Sequence, residues 1–183
     1  MDFNLNEQQR ALKETARKFA EKELIDVAKK IEKNDTPPGK DILKRFSELG
    51  FLGVNLPTEY GGAGLSHFEA VLVLEEIAKV SIAVAFPIFE SSFGPAIAIS
   101  SFAENELKHA VLPKVCSGEM VIAVSMSEPN AGSALTDLTT KAEILGDKVV
   151  LNGQKRWCSG AGHADAYVVY SRMSEEKGAK GIG

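Results

Sequence analysis

Cysteine, histidine and surplus positive charge are all scarce in this chain. Its two cysteines, Cys116 and Cys158, lie far apart and form no C-x-x-C pair. Isolated thiols of this kind suit a reducing compartment, and buried packing accounts for both. His67, His109 and His163 are scattered, with no metal-ligand spacing and no cysteine or carboxylate cluster beside them, so no metal site is expected. Lys and Arg number 21 against 25 Asp and Glu, a net charge of −4. That balance gives no electrostatic basis for nucleic acid or an anionic membrane as partner. The longest nearly uncharged stretch, Val80 to Phe89, is too short to span a bilayer and contains Pro87, so no membrane insertion is expected. Met1-Asp2-Phe3-Asn4 shows no basic region followed by an apolar one; no signal peptide is read there, and the cytoplasm is the expected location. The glycines of Gly61-Gly62-Ala63-Gly64 stand in no G-x-G-x-x-G pattern behind a strand, which excludes a Rossmann reading.

What remains describes an ordinary globular protein. The 183 residues are 44% hydrophobic and 25% charged, enough to bury a real core in one large domain or two small ones. The first two-thirds reads as helix. Asn6 and Gln9 form a capping box, and Leu12, Ala16, Phe19, Leu24, Ala28 and Ile31 recur at helical spacing until Pro37-Pro38. A short helix carries Ile42, Leu43, Phe46 and Leu49, with Gly50 as its C-cap. Ser66 and Glu69 form a second capping box ahead of Val71 to Ala78, a helix expected to be central. Ser81 to Ser101 reads as buried helix interrupted near Pro87 and Gly94-Pro95, and Glu104 to Val111 as a last short helix ending at Leu112-Pro113.

Near residue 120 the pattern changes to strands. The expected domains are therefore 1–119, helical, and 120–183, a partial β domain. Val121 to Val124 is an apolar, β-branched run that feeds the polar turn Ser125-Met126-Ser127-Glu128-Pro129-Asn130-Ala131-Gly132-Ser133. Small residues there let backbone N–H groups approach a ligand, and the serines offer hydroxyls. Gly146-Asp147 and Asn152-Gly153 read as hairpin turns flanking Val149-Val150-Leu151. With Gln154 to Ser159 and Tyr167 to Ser171 as further strands, an antiparallel meander is expected.

The turn, followed later by Asn152-Gly153-Gln154-Lys155-Arg156-Trp157-Cys158-Ser159, resembles the acyl-CoA dehydrogenase family of flavoproteins. In that family a T/S-E-P-x-A-G-S turn and an N-G-x-K-x-W-x-T/S segment hold the flavin. Pro57-Thr58-Glu59-Tyr60-Gly61-Gly62-Ala63-Gly64 and Leu112-Pro113-Lys114 with Gly118-Glu119 are similar to the family's helical domain. The resemblance implies an α+β multidomain fold, an all-α N-terminal domain followed by the opening strands of an antiparallel β-barrel. It implies FAD as cofactor, an acyl-CoA thioester as substrate in fatty acid metabolism, electron-transfer flavoprotein as acceptor, and a homo-oligomer, dimer or tetramer, at full length.

Carried over by position, Val124, Ser125, Met126 and Ser127 would lie along the flavin. Ser133 would sit near the phosphates of the flavin or CoA, which makes it the implied substrate-binding residue as well. Trp157 would pack against the ring beside Cys158, and Ser159 would aim its hydroxyl at flavin N5. The reaction implied is removal of a proton α to the thioester and transfer of a β-hydride to N5, giving the 2,3-enoyl-CoA. No residue here inherits the catalytic base, a glutamate of the family's C-terminal domain; Glu128 belongs to the binding turn. Ala134 stands where the family has Asp, as expected of a divergent branch such as a reductase, oxidase or desulfinase. A non-catalytic FAD- or CoA-binding fragment, or a partner subunit, is the alternative from another class.

Overall fold

The computed structural model describes residues 4–183, so most of Met1-Asp2-Phe3-Asn4 lies outside the described residues. The chain divides into two compact units, Met1–Val121 and Ile122–Gly183.

The first unit is helical: α1 Glu7–Phe19, α2 Ile25–Asn34, α3 Lys40–Glu48, α4 His67–Ala78, α5 Ile82–Ser92, α6 Pro95–Phe102 and α7 Asn105–Ser117. A π-helical turn, Ala20–Leu24, joins α1 to α2, so the long amphipathic run is one bent rod that keeps Phe19, Ala20 and Leu24 buried. Phe46 is the pivot of the core beneath it. Its ring is fully buried and meets Phe19 edge-on at 5.9 Å. The α3 stripe ends as read: Gly50 adopts φ 69°, and Phe51 N–H returns to the Phe46 carbonyl at 2.8 Å, the six-residue closure of a Schellman cap.

Both capping boxes form, and they are joined. Asn6 Oδ1 accepts from Gln9 N–H at 2.8 Å, while Gln9 Nε2 donates to Glu69 Oε1 at 2.8 Å. Glu69 in turn accepts from Ser66 N–H at 3.0 Å and from the Ser66 hydroxyl. The hydrogen bonds from Ser66 and Gln9 outweigh the partial burial and hold the Glu69 carboxyl down to about 2. One glutamate thus ties the starts of α1 and α4 together. Ser66→Ala should lower the unfolding free energy by about 1 kcal/mol, the usual cost of an N-cap; an unchanged denaturant midpoint would show the cap to be idle.

Two prolines fail to break their helices. α5 runs through Pro87, and α7 runs through Pro113 to end at Gly118, with φ 77°. Burial on either side prevails over the lost N–H: Val84, Ala85 and Ile88 in α5, Leu112, Val115 and Cys116 in α7. The apolar stretch continues through Glu90. Ile82–Phe102 is 21 residues with mean hydropathy 1.6, long and apolar enough to cross a membrane by length and composition. It is folded as two helices broken at Phe93-Gly94, with Ala85, Ile88 and Ala96 in the protein interior. In the glycine loop, a Cβ on Gly62 would meet the Leu56 carbonyl oxygen at 2.3 Å. Close backbone packing, and not a nucleotide, requires that glycine.

The second unit holds β1 Ile122–Ser125, β2 Lys141–Leu145, β3 Lys148–Asn152 and β4 Ala166–Val169. β2 and β3 form the expected antiparallel hairpin, Leu145 opposite Lys148, with Gly146 supplying φ 65° in the two-residue turn. The rest of the antiparallel meander is corrected. β1 pairs with β4 in parallel, Ile122 opposite Ala166 and Ser125 opposite Val169. Some 40 residues of excursion separate the two strands, ample for the crossover that a parallel pair needs. Gln154–Ser159 is not a strand, because Trp157 sits at φ 60°, a left-handed geometry that no pleated strand continues through. Asn152-Gly153 is no turn either. A Cβ on Gly153 would lie 2.3 Å from the Thr140 hydroxyl oxygen and 2.5 Å from its Cα, so the glycine is there for close approach.

Candidate functional site

The two segments that the sequence singles out meet within the second unit. β1 delivers the chain into a tight turn in which Glu128 N–H donates to Ala131 O at 2.8 Å and Ala131 N–H returns to Glu128 O at 3.2 Å. Pro129 and Asn130 occupy its tip and are exposed. Arg156 N–H donates to Ser127 O at 2.9 Å. Lys155 Nζ donates to Met126 O and to Glu128 Oε1, each at 2.9 Å. Residues 126–128 and 155–156 are therefore laced by main-chain and side-chain bonds, although 27 positions separate Glu128 from Lys155.

Glu128 is the electrostatic centre of this junction. It is 5% exposed and accepts four hydrogen bonds. Thr139 N–H and Oγ1 donate to one oxygen at 2.7 and 2.8 Å; Thr140 N–H and Lys155 Nζ share the other at 2.8 and 2.9 Å. Burial alone would raise its pKa, but the bonds from the Thr139–Thr140 segment and Lys155 outweigh that and hold it far below the ordinary carboxylate range. A carboxylate this acidic, with both oxygens engaged, cannot serve as a general base near neutral pH. Glu128 is a structural member of the turn, as its place in the motif implies.

The remaining residues named from the sequence fall into two groups. Ser125 is buried and accepts Tyr170 N–H through its carbonyl at 3.0 Å, while Val124, Met126 and Ser127 are half-buried at the start of the turn. Ser133 is exposed, and the neighbouring Gly132 has open space where a Cβ would be. Gly132 and Ser133 thus stand at the surface of the turn. Trp157 is 77% exposed, Cys158 half-buried and Ser159 exposed. The Arg156 guanidinium lies over the indole at 4.3 Å from its centroid. A left-handed tryptophan held out to solvent costs on the order of 1–2 kcal/mol against an ordinary backbone, and its neighbours Lys155 and Arg156 are the residues that bond across to the turn. The loop after it is ordered by Tyr167, whose hydroxyl accepts Gly162 N–H at 3.1 Å and donates to Gly160 O at 3.2 Å.

Sequence reading missed the bonding partners more than the residues. Lys155 stood in the motif without a role, and Thr139 and Thr140 were not noticed. Only a buried carboxylate demanding donors could have pointed to them. His67, His109 and His163 are exposed, and no group of metal-ligating side chains occurs among the described residues.

Comparison with known proteins matches the same two regions. Residues 6–119 match the family model "Acyl-CoA dehydrogenase, N-terminal domain", and residues 123–183 the model "Acyl-CoA dehydrogenase, middle domain". Mitochondrial isovaleryl-CoA dehydrogenase of Bos taurus is 40% identical over 177 residues, 92% of this chain and 40% of that protein. The 3-sulfinopropanoyl-CoA desulfinase of Variovorax paradoxus is 32% identical over 181 residues, 99% of this chain and 45% of that one. Among solved structures, a glutaryl-CoA dehydrogenase in complex with glutaryl-CoA superposes with a TM-score of 0.91 at 33% identity, covering 100% of this chain and 47% of that one. The FAD complex of PigA superposes at 0.90 with 26% identity, covering 100% and 48%. The chain spans less than half the length of these relatives.

Proposed function

The chain belongs to the acyl-CoA dehydrogenase family, and from that premise we propose that it carries the FAD-binding half of a site that oxidises an acyl-CoA thioester to the 2,3-enoyl-CoA. The observation that carries this reading is the junction itself: Ser127 and Arg156 bonded at 2.9 Å put the polar turn and the tryptophan segment side by side. When bound, FAD supplies a hydride acceptor for the substrate's β carbon. The chain's own residues hold and shield it. Val124, Ser125, Met126 and Ser127 offer a rim of backbone groups at the end of β1. Ser133, beside the open backbone of Gly132, is suited to a phosphate. Trp157 and Cys158 present an aromatic face and a thiol, and Ser159 a free hydroxyl.

The base is not among these residues. Glu128 keeps no free oxygen and no suitable pKa, so proton removal falls to a carboxylate beyond these segments. Homo-oligomer formation and transfer of electrons to an electron-transfer flavoprotein belong to the full-length reading; one superposed structure comes from work on the electron transferring flavoprotein of Acidaminococcus fermentans. We place the protein in a reducing compartment on its two free thiols and read the cytoplasm, while the bovine relative is by name mitochondrial. The domains are proposed as 1–119 and 120–183.

A second reading has its own support. Ala134 stands in the turn where the family has Asp, and the Variovorax relative is a desulfinase. Desulfination of an acyl-CoA releases sulfite with no net transfer of electrons to flavin, so the two readings share flavin uptake in the test and bleaching reports the oxidation alone. The purified chain is titrated with FAD and its visible spectrum recorded, then isovaleryl-CoA, glutaryl-CoA or 3-sulfinopropanoyl-CoA is added without oxygen. Expected is flavin uptake with no bleaching by any thioester. Bleaching would place the base within this chain and overturn its assignment, and failure to take up flavin that persists in a chain extended to full family length would overturn the site.

A further inference from the structure

We propose that Lys155 and Glu128 are positioning residues for the flavin: their ion pair locks the turn and the Trp157 segment into one rigid piece, and so fixes where the indole and the Ser159 hydroxyl stand. The inference rests on the flavin reading and adds to it a residue pair with no direct contact to the cofactor. Its grounds are geometric. Lys155 is 12% exposed at the side chain and Glu128 4%, and their 2.9 Å bond is the most deeply buried ion pair among the described residues. Lys155 bridges two successive parts of the turn, the Met126 carbonyl and the Glu128 carboxylate. One residue on, Arg156 N–H takes the Ser127 carbonyl, and one residue further Trp157 turns left-handed.

That sequence of contacts explains the strained backbone. A tryptophan at φ 60° relaxes to the β or right-handed region unless its flanks are held. On the upstream side the holding groups are Lys155 and Arg156; downstream, Tyr167 ties the Gly160–Gly162 loop. Arg156 binds through its backbone, which any residue provides. Lys155 binds the turn through its side chain, which makes it the sequence-specific anchor across to the turn, whereas the Arg156 guanidinium packs on the Trp157 indole itself at 4.3 Å. A buried pair also resists salt, since screening acts on exposed charges. The register of the two segments is therefore fixed by a contact that ionic strength leaves in place.

Trp157 is the sole tryptophan of the chain, so its fluorescence reports this segment alone. The test compares wild type, Lys155→Met, Lys155→Arg and Glu128→Gln by Trp157 anisotropy, by acrylamide quenching, and by amide exchange of β1 and β4, and then by FAD titration. In Lys155→Met the anisotropy should fall and quenching rise while β1 and β4 amides keep their protection. Its FAD affinity should weaken by about tenfold or more, equivalent to roughly 1.4 kcal/mol per decade. Lys155→Arg, which keeps a cation able to reach a carboxylate and a carbonyl, should recover most of both signals. Unchanged anisotropy in Lys155→Met overturns the clamp. So does loss of β1–β4 protection in step with FAD affinity, which would mean a purely structural role. A wild type with an ordered Trp157 but no FAD uptake overturns the flavin reading separately, because the anisotropy contrast between variants measures the clamp without cofactor.

Discussion

Glu128→Ala is expected to destabilise the Ile122–Gly183 unit by on the order of 3–5 kcal/mol, the cost of removing one partner from a buried ion pair. The effect has three parts. Lys155 is left as a nearly buried cation whose remaining acceptor is the Met126 carbonyl. Thr139 and Thr140 lose the two carboxylate oxygens, one each, that accept their N–H groups. The side chain itself leaves a hole beneath the turn. Because whole domains are stable by only about 5–15 kcal/mol, this loss should bring the unit close to unfolding. Glu128→Gln is the informative companion. The amide oxygen can still accept from one side, but its NH2 group faces either a threonine donor or Lys155. It should fall between wild type and alanine. The measurement is a denaturant titration followed by Trp157 emission, and coincident curves for wild type and Glu128→Ala would refute the clamp's energetic role. Acid should imitate the mutation only at extreme pH. The carboxyl is held far below its ordinary value, so its contribution is present above the unfolded pKa and is lost as pH falls toward the depressed one.

How much of this was legible beforehand depends on how local the cause is. Both capping boxes were readable because their signal lies within four residues and their chemistry is self-contained: Asn6 with Gln9, Ser66 with Glu69. The Gly146-Asp147 turn was readable for the same reason. Asn152-Gly153 carries the same kind of signal and is not a turn, because what decides its conformation is Thr140, thirteen residues before Gly153, pressing on the space where a Cβ would stand. Pro87 and Pro113 misled in the opposite direction; a local breaker was overruled by burial that only the folded helices supply. The parallel pairing of β1 with β4 depends on how a 40-residue excursion packs, and no dipeptide announces that. At the site, the residue types were legible through resemblance, and so was Glu128's place in the turn. Its four donors were not. A carboxylate in a polar turn looks solvated until the fold shows it enclosed.

The same blindness hid Glu90, which yields the second large effect. Glu90 lies in the last turn of α5, two positions before its final residue Ser92, is 4% exposed, and burial raises its carboxyl from the ordinary value of 4.5 to about 7. Of the neighbouring serines, the Ser91 hydroxyl accepts Gly53 N–H at 3.1 Å, while the Ser92 carbonyl accepts the Asn55 amide at 2.8 Å and the buried Ser92 hydroxyl is left without a partner. The sign follows from proton counting. Between about pH 4.5 and 7 the folded protein holds a proton on Glu90 that the unfolded chain has released, so unfolding becomes easier as pH rises through that window. Over the window the loss amounts to roughly 3 kcal/mol at 1.36 kcal/mol per pKa unit. Glu69, held at about 2, acts in the opposite sense and only in more acidic solution, below its unfolded value, so it does not obscure the slope. Glu90→Gln replaces the protonated acid with a neutral isostere. It should match wild type near pH 4.5 and exceed it by on the order of 2–3 kcal/mol at pH 8, with the wild-type slope abolished. Urea unfolding followed by helical circular dichroism at both pH values decides the matter. Parallel profiles for the two proteins would mean that Glu90 ionises in the folded state as readily as in water, through solvent or a cation reaching it. Diverging profiles would mean that α5 carries an acid that stays protonated through the mildly acidic range and ionises only near neutral pH, a cost that the helix bears within the same segment whose Ser91 and Ser92 hold the Gly53–Asn55 connector in place.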